Sequence, residues 1–356
     1  MRRLGLLALL AIAALGAGAA WLDSQISRPY HGHRPDKVFV EIPHGTSRWE
    51  IAGILKRDEV VRNRLAFELL SIWHHRHGLE AGEYLVDHQM DSRQVFWMIA
   101  KGKIFVHTVV VPEGWTMFDI ARELDRQGIC SREEFLAAAR DPAPIADLAP
   151  RAKDLEGFLF PSTYEFTRHT TCSQIAAEMA GEFRSVWTRI APAGSPEFPG
   201  GLNIVQIVTL SSLVERETPN PNERPLVAGV FYNRLKLGDP LQCDPTVQYA
   251  LEIAGRPAKN VRPEDLHIDS PYNTYEHRGL PPGPIANPGE ASLRAVLSPT
   301  PTDFLYFVAN AEGGHFFSKT LAEHNRNVEI YRRRLEGNFT PPPPLPAPKS
   351  KGRRRS

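Results

Sequence analysis

The pattern of apolar and polar positions divides the chain into an apolar N-terminal segment and a mixed body. Residues 4–22 (LGLLALLAIAALGAGAAWL) carry no charge and are long enough to cross a bilayer as a helix. After a polar, proline-containing linker over residues 23–36, short runs typical of strands alternate with runs of helical spacing. The pattern predicts an N-terminal transmembrane helix followed by an α+β body.

One strand-to-helix pattern occurs twice at an offset of 69 residues, in KVFVEIPHGTSRWEIAGIL and HTVVVPEGWTMFDIAREL. The matched positions are Pro43 and Pro112, Gly45 and Gly114, Ile51 and Ile120, Ala52 and Ala121, and Leu55 and Leu124. Matches at one offset predict two related units, each with a strand, a glycine turn and a helix. With AGEYLV and the short helix after it, the first unit is an α+β module of residues 37–104.

The charges that flank the apolar segment indicate its orientation. Arg2 and Arg3 precede it and Asp23 follows it, which favours a cytoplasmic N-terminus and an exported body. A cleaved signal peptide is the alternative, because residues 17–19 (AGA) resemble a cleavage site. The apolar run continues past that site to Leu22, which favours an uncleaved anchor. Both interpretations place the body outside the cytoplasm.

Composition narrows the classes of partner and of bound group. Lys+Arg 42 against Asp+Glu 41 leaves a net charge of +1, so no overall field indicates nucleic acid as a partner. The cysteines Cys130, Cys172 and Cys243 exclude a disulfide framework, although one pair could form and leave one thiol free. Residues 74–77 (HHRH) are a weak metal candidate, because adjacent positions of a helix point in different directions. The proline-rich basic tail, residues 337–356, is predicted to be disordered.

The central and C-terminal parts combine helices with loops. Residues 131–200 are predicted to be mostly helical, and DLEGFLFPSTYEF (residues 154–166) is either a structured loop near a cleft or a hydrophobic corner. Helices are predicted over residues 203–218 and 221–237, and DFLYFVAN is predicted to be a buried strand. The loops of residues 239–290, rich in Pro, Gly, Asn and Tyr, are where a site is expected.

Two glutamates end the apolar run SSLVERETP. Pro219 disfavours helical geometry at Thr218, so the helix should end there with Glu217 in its last turn. The negative end of the helix dipole and the apolar neighbours should raise the pKa of Glu217, as a general acid requires near neutral pH. Glu215 lies two positions earlier, so the two acids cannot face the same cleft. Periodicity alone does not choose between them.

A resemblance to a known family decides between Glu215 and Glu217. LSSLVERET, GVFYNRL, LQCDPTVQYAL, SPYNTY, GLPPGPIANPG and LYFVAN, followed by HFFSKTLAEHN, resemble the membrane-anchored endolytic murein transglycosylases, the YceG-like family. The resemblance runs from the anchor to about residue 331. It implies a LysM-like module over residues 37–104 and a larger α+β catalytic domain over residues 105–336. The catalytic glutamate of the family motif maps onto Glu217, and Glu215 becomes a supporting residue.

The resemblance also implies a reaction and a location. A lytic transglycosylase cleaves the β-1,4 bond between N-acetylmuramic acid and N-acetylglucosamine, and one acid serves twice as a 1,6-anhydro sugar forms. Water is not a reactant, and no metal or cofactor is implied. The expected location is the bacterial inner membrane, with the body in the periplasm. There the enzyme would cut nascent peptidoglycan glycan strands and end their elongation beside membrane-bound glycan polymerases.

Other interpretations of the site remain open. A hydrolase (muramidase) needs a second carboxylate, for which Asp244 is the strongest candidate and Asp265 and Asp269 are weaker. Asp244 could instead cap the helix that begins at Pro245, or orient substrate. A third hypothesis is that the protein is a non-catalytic scaffold that binds the cell wall.

Amides and aromatic rings are the usual partners of sugars, because they give hydrogen bonds and stacking without charge. The predicted substrate contacts are Asn233, Gln242, Asp244, Tyr272, Asn273 and Tyr275. Bracing by Asn233 and simple packing by Tyr272 are the structural alternatives.

Overall fold

The computed structural model describes most of the predicted body. The described residues are 2–30, 32, 37–191 and 198–335. The predicted tail of residues 337–356 lies outside them, and the predicted linker is described only in part. The chain divides into two compact units, Met1–Thr108 with Glu165–Thr170, and Val109–Tyr164 with Thr171–Ser356. Each unit mixes helices with small antiparallel sheets.

The first unit contains the α+β module that the pattern predicts. Its elements are α1 (Arg2–Ser27), β1 (Val38–Ile42), α2 (Arg48–Arg57), α3 (Arg64–Trp73), β2 (Gly82–Val86) and α4 (Ser92–Ala100). β1 and β2 pair antiparallel, with Val40 opposite Tyr84. Both are fully buried, as are Phe67 of α3 and Phe96 of α4, so the helices cover one face of the sheet. The likeness of this module to LysM stays a prediction.

The N-terminal helix is longer than predicted. α1 continues to Ser27, beyond the predicted end of the anchor at residue 22. Leu22 and Ile26 pack against the core of the first unit, which explains why the helix extends past the apolar run. Among the described residues, Leu9–Ser27 is the one helical stretch long and apolar enough to span a membrane, a test that a signal sequence also passes.

The predicted repeat is confirmed in the backbone. The second copy has strand β3 (His107–Val110) and helix α5 (Met117–Arg126), which correspond to β1 and α2 at the same offset. Both helices begin with a capping box, formed by Ser47 and Glu50 in the first copy and by Thr116 and Asp119 in the second. The turn glycines, Gly45 and Gly114, have φ values of 80° and 79°. Both therefore occupy the left-handed region that favours glycine.

The second unit is mainly helical. Its further elements are α6 (Arg132–Ala139), β4 (Thr163–Phe166), α7 (Cys172–Ile190), α8 (Ile204–Glu217), α9 (Arg224–Leu237), α10 (Asp244–Ile253), α11 (Glu290–Leu297), β5 (Tyr306–Ala309), β6 (His315–Ser318) and α12 (Leu321–Leu335). The residues of β3 and β4, which pair in a two-stranded sheet, are divided between the two units. β5 pairs antiparallel with β6, with Phe307 opposite Phe317, and α12 packs on this hairpin. α8, α9 and α11 pack together as the centre of the unit.

Two details differ from the sequence predictions, and a third concerns a segment for which two alternatives were open. The stretch of residues 131–200 contains β4 and a long loop between its helices, so it is less helical than predicted. The residues of β5 are half-buried, not buried, because the strand belongs to a two-stranded hairpin. Leu155, Phe158 and Leu159 of the DLEGFLF segment are fully buried, which favours the hydrophobic corner of the two alternatives.

Candidate active site

α8 ends where the sequence predicts. A capping box formed by Asn203 and Gln206 fixes its start. The Asn203 side chain accepts a hydrogen bond from the backbone N–H of Gln206, and the Gln206 side chain accepts one from the backbone N–H of Asn203. Thr218 has extended geometry (φ −137°) and the next residue is proline, so Glu217 is the last residue of the helix. The body of α8 is buried from Val208 to Val214. The glutamates therefore emerge from a fixed core helix.

Glu215 is enclosed by protein. Its Oε1 lies 2.7 Å from Nη2 of Arg224, and both side chains are less than a tenth exposed. Its Oε2 accepts the backbone N–H of Gly289 at 3.0 Å, and Arg224 also contacts Glu113 at 3.4 Å. Burial raises the pKa of Glu215, and the charge of Arg224 opposes that shift. Glu215 therefore connects the end of α8 to the starts of α9 and α11, which is a supporting role.

Glu217 faces a different environment. It is half-buried and lines an open cavity of about 400 Å³. Burial raises the pKa of Glu217 most and the charge of Asp244 adds to it, whereas a hydrogen bond from Cys243 and the charges of His315 and Arg216 lower it. The net direction is upward, as predicted, and burial is the main cause. A carboxyl group with this pKa shift, open to a cavity, can act as a general acid.

Polar and aromatic side chains share the cavity with Glu217. The lining residues are Arg234, Leu241, Gln242, Asp244, Tyr275, Tyr306, Phe307, Leu321, His324 and Asn325. Amides and aromatic rings are usual partners of sugars, so the composition of this cavity suits a carbohydrate. The predicted residues Gln242, Asp244 and Tyr275 are thus brought together with Glu217.

These three predicted residues are held rigidly. The Tyr275 hydroxyl donates to Oδ1 of Asp244 at 2.5 Å, and Arg234 donates to Oε1 of Gln242 at 3.2 Å. Gln242 has a positive φ of 51°, which is uncommon for a residue with a side chain and is a type of strain found at functional sites. Cys243 is the residue at the helix cap and no side chain caps α10, so the capping interpretation of Asp244 is wrong.

Comparison with known proteins identifies the family. The model of the YceG-like family matches residues 40–330. The chain belongs to the YceG-like family. It is 34% identical to a Bacillus subtilis (strain 168) protein named endolytic murein transglycosylase, over 88% of this chain and 90% of that protein. A Streptococcus pneumoniae (D39) protein of the same name is 30% identical, and the match covers 89% of this chain and 63% of that longer protein.

A solved structure is similar as well. The crystal structure of a YceG-like protein from Listeria monocytogenes matches with a TM-score of 0.53 and 34% sequence identity. The match covers 82% of this chain and 99% of that one. The fold described above is therefore shared within the YceG-like family.

Three predicted contact residues lie outside the Glu217 cavity of this YceG-like protein. The Asn233 amide donates to the carbonyls of Thr302 and Phe304, as in the bracing alternative, and Asn233 lines a separate cavity. Asn273 has no exposed surface, and its amide donates to two backbone carbonyls of its own loop. Tyr272 packs edge-on against Tyr249. These residues shape the walls and loops, and the structure places none of them beside Glu217.

Arg234 and Tyr306 line the cavity of this YceG-like protein but were not singled out from the sequence, whereas His324 was considered as a residue that binds or braces. Arg234 lies over the ring of Tyr306 at 5.1 Å and donates to the Leu241 carbonyl at 2.8 Å. The ring of Tyr306 stacks on His324 at 5.2 Å. All lie within or next to segments that carry the family resemblance, GVFYNRL, LYFVAN and LAEHN, but their chemistry alone did not distinguish them from core residues.

The cysteines are assigned by the structure. Cys130 and Cys172 form a disulfide and Cys243 is a buried free thiol, so one of the three possible pairs forms. Among the described residues, the one cluster with metal-ligand chemistry is Cys130, Glu134 and Cys172, in which both thiols are used by the disulfide. The Cys243 thiol instead contacts Glu217, and burial raises the pKa of this thiol well above its usual value.

Proposed function

We propose that this protein is a lytic transglycosylase that cleaves murein glycan strands, with Glu217 as the catalytic acid. The observation that carries the proposal is the half-buried Glu217 carboxyl group, whose pKa is raised and which lines a cavity with Asp244, Gln242 and Tyr275. Relatives that match most of the chain are named endolytic murein transglycosylases, which supports the same reaction.

The proposed reaction uses one carboxyl group twice. Protonated Glu217 gives its proton to the oxygen between C1 of N-acetylmuramic acid and C4 of N-acetylglucosamine, and the C1–O bond breaks. The muramic acid C6 hydroxyl then bonds to C1 and returns its proton to the Glu217 carboxylate. The products are a 1,6-anhydro end and a free 4-hydroxyl group, so the proton balance closes without water.

The other cavity residues have supporting roles in this proposal. Tyr275 is fixed on Asp244, and Gln242 is fixed by Arg234, so their polar groups face the cavity in defined positions. Tyr306 and Phe307 line the cavity, and aromatic side chains there can pack against the apolar surface of a pyranose. Asn233 and Asn273 are left out of the proposed contacts because their amides are bound by backbone carbonyls.

One observation favours a second candidate, a muramidase. Asp244 lines the same cavity as Glu217 and is the second carboxylate that a hydrolase needs, whereas Asp269 lines a different cavity. In that reaction a water molecule would add to C1 and leave a reducing end. The position of Asp244 alone does not separate the two reactions, but their products differ.

Mass spectrometry of the products separates the candidates. Purified full-length protein is incubated with peptidoglycan in ¹⁸O-labelled water, beside the Glu217→Gln variant as background. We expect anhydro-muramyl ends without ¹⁸O, formed by the wild-type protein alone. Reducing ends that carry ¹⁸O would establish the muramidase, and no new ends from either protein would favour the non-catalytic scaffold.

The pH dependence of cleavage should respond to two neighbouring charges in opposite directions. The negative charge of Asp244 raises the pKa of Glu217 and the positive charge of Arg216 lowers it. Since the acid must be protonated, activity falls as pH rises through this pKa. Asp244→Asn should therefore move the fall in kcat/KM to lower pH, and Arg216→Gln should move it to higher pH. Equal midpoints in both variants would contradict Glu217 as the titrating acid.

The remaining proposals concern location. The exposed apolar stretch Leu9–Ser27 anchors the protein in the inner membrane, with the body in the periplasm and the LysM-like module of residues 37–104 next to the anchor. In this position the enzyme ends the elongation of nascent strands and works beside membrane-bound glycan polymerases. Full replacement in cells by a form that lacks residues 2–22 would contradict this role.

A further inference from the structure

Helix α3 of the first unit is apolar on both faces. Ala66, Phe67 and Leu70 are buried in the core. The α3 outer face, defined as Leu65, Leu69, Ile72 and Trp73, is at least half exposed at every position. At 100° per residue these four side chains span about 100° of the helix surface. Four large apolar side chains together on an exposed face indicate a surface that something covers.

The position of α3 indicates what covers it. α1 packs against α3 and α4, and the contact involves Leu22 and Ile26 at the end of the candidate membrane span. Arg62, just before α3, donates to the Pro29 carbonyl at 3.5 Å, so the start of α3 lies near the end of α1. α3 therefore belongs to the part of the first unit that packs directly on the end of the candidate membrane span. Trp73, which is 83% exposed, is at the C-terminal end of α3.

The charges around α3 suit an anionic surface. Residues 60–79 contain three arginines, three histidines and one acid, Glu68, and the acids Asp58, Glu59 and Glu80 flank this stretch. Arg64 lies 3.5 Å from the ring centre of Trp49, a second exposed aromatic residue next to α3. His74 and His77 contact the ring of Trp97. Tryptophan beside cationic side chains is the composition found where proteins meet lipid headgroups.

We propose that the α3 outer face inserts into the headgroup region of the bilayer that α1 enters, and that its partner is anionic phospholipid. The proposal rests on the membrane anchor proposed above. α1 alone would hold the first unit by a single helix. Insertion of Leu69, Ile72 and Trp73 adds a second contact, which fixes the orientation of this unit relative to the membrane plane.

Spin labels on the full-length protein test this docking. Cys130 and Cys172 are joined and Cys243 is buried, so an added cysteine is the one accessible thiol of the described residues. Leu69→Cys reports the α3 outer face, Leu15→Cys reports the span, and His88→Cys is the exposed control on the same unit. Each labelled protein is placed in vesicles of phosphatidylethanolamine and phosphatidylglycerol. Collisions with oxygen, which enters lipid, and with a water-soluble nickel chelate are measured.

We expect the label at residue 69 to meet oxygen readily and nickel poorly, as the label at residue 15 does, whereas the control meets nickel readily. A label at residue 69 as accessible to nickel as the control, with residue 15 in lipid, would overturn the docking alone. Low collision with both reagents would show that protein covers the face and would also overturn it. Nickel access at residue 15 would overturn the anchor instead.

Charge provides a second test. Leu69→Glu together with Trp73→Glu places two carboxylates on an exposed surface, where folding should tolerate them. The nickel accessibility of a label at Ile72→Cys should rise in this background if lipid covers the face. Unchanged accessibility would contradict the proposal.

Discussion

Glu217→Gln should lower the rate of glycan cleavage by about 10²- to 10⁴-fold, the usual contribution of a positioned general acid. The amide keeps the shape of the side chain but has no proton to give to the leaving oxygen. The chain should still fold, because Glu217 lines an open cavity and no ion pair depends on it in the described residues. Initial rates on purified glycan strands measure the effect.

The same variant has a predictable effect on stability. The pKa of Glu217 is raised in the folded protein, mainly by burial, so unfolding allows this group to ionise more easily. Stability from this group is complete below the unfolded-state pKa and is lost as pH rises through the folded-state value. Glu217→Gln removes that loss, and its Tm near neutral pH should equal or exceed that of the wild type. Glu264→Gln, on an exposed side chain, is the matched control and should alter neither rate nor Tm. A wild-type rate for Glu217→Gln would remove this residue from the mechanism.

Local rules predicted the end of α8, the two turn glycines and the strand–helix repeat. Pro219 sets the geometry of the residue before it, and Gly45 and Gly114 need a positive φ. Each of these outcomes depends on a few consecutive residues. For that reason the position of Glu217 at the end of its helix could be predicted from the sequence.

Contacts between segments that are distant in the sequence could not be predicted in this way. Tyr275 meets Asp244 across 31 residues, and Asn233 meets the carbonyl of Thr302 across 69. Asn233 and Gln242 carry the same amide group, but in Asn233 it is bound by backbone and in Gln242 it lines the cavity. Composition cannot separate these two outcomes, because the tertiary fold decides which amide meets a carbonyl.

The two copies of the repeat show the same division between local and distant effects. Their helices, caps and glycine turns agree, so local sequence specifies both. A side chain at Gly45 would meet open space, whereas one at Gly114 would contact Arg216 and Glu215. The Gly114 carbonyl also accepts a hydrogen bond from Arg216. The second copy thus supports the end of α8, a role that its sequence does not reveal.

Glu215→Gln should lower the free energy of unfolding by about 3 kcal/mol, because it leaves the buried Arg224 without its close partner. Glu113 remains 3.4 Å from Arg224 in the variant, but its side chain is 48% exposed, so it compensates the buried charge less well than Glu215 does. Burial raises the pKa of Glu215 more than the charge of Arg224 lowers it. The ion pair therefore adds little net stability beyond the desolvation cost of burying the two charges. The loss in the variant therefore comes from a buried Arg224 charge that only the more exposed Glu113 still compensates. Urea denaturation measures it.

The double variant Glu215→Gln with Arg224→Met gives the matching control. It removes both charges together, so it should recover most of the stability that Glu215→Gln loses. Cleavage per folded molecule should stay within a few-fold of wild type in both variants, in contrast to Glu217→Gln, because the Glu215 side chain is enclosed by Arg224 and Gly289 and does not line the cavity. A Glu215→Gln protein as stable as wild type but inactive would reverse the two roles. Glu215 would then be the acid, and Glu217 would need another explanation for its position in the cavity.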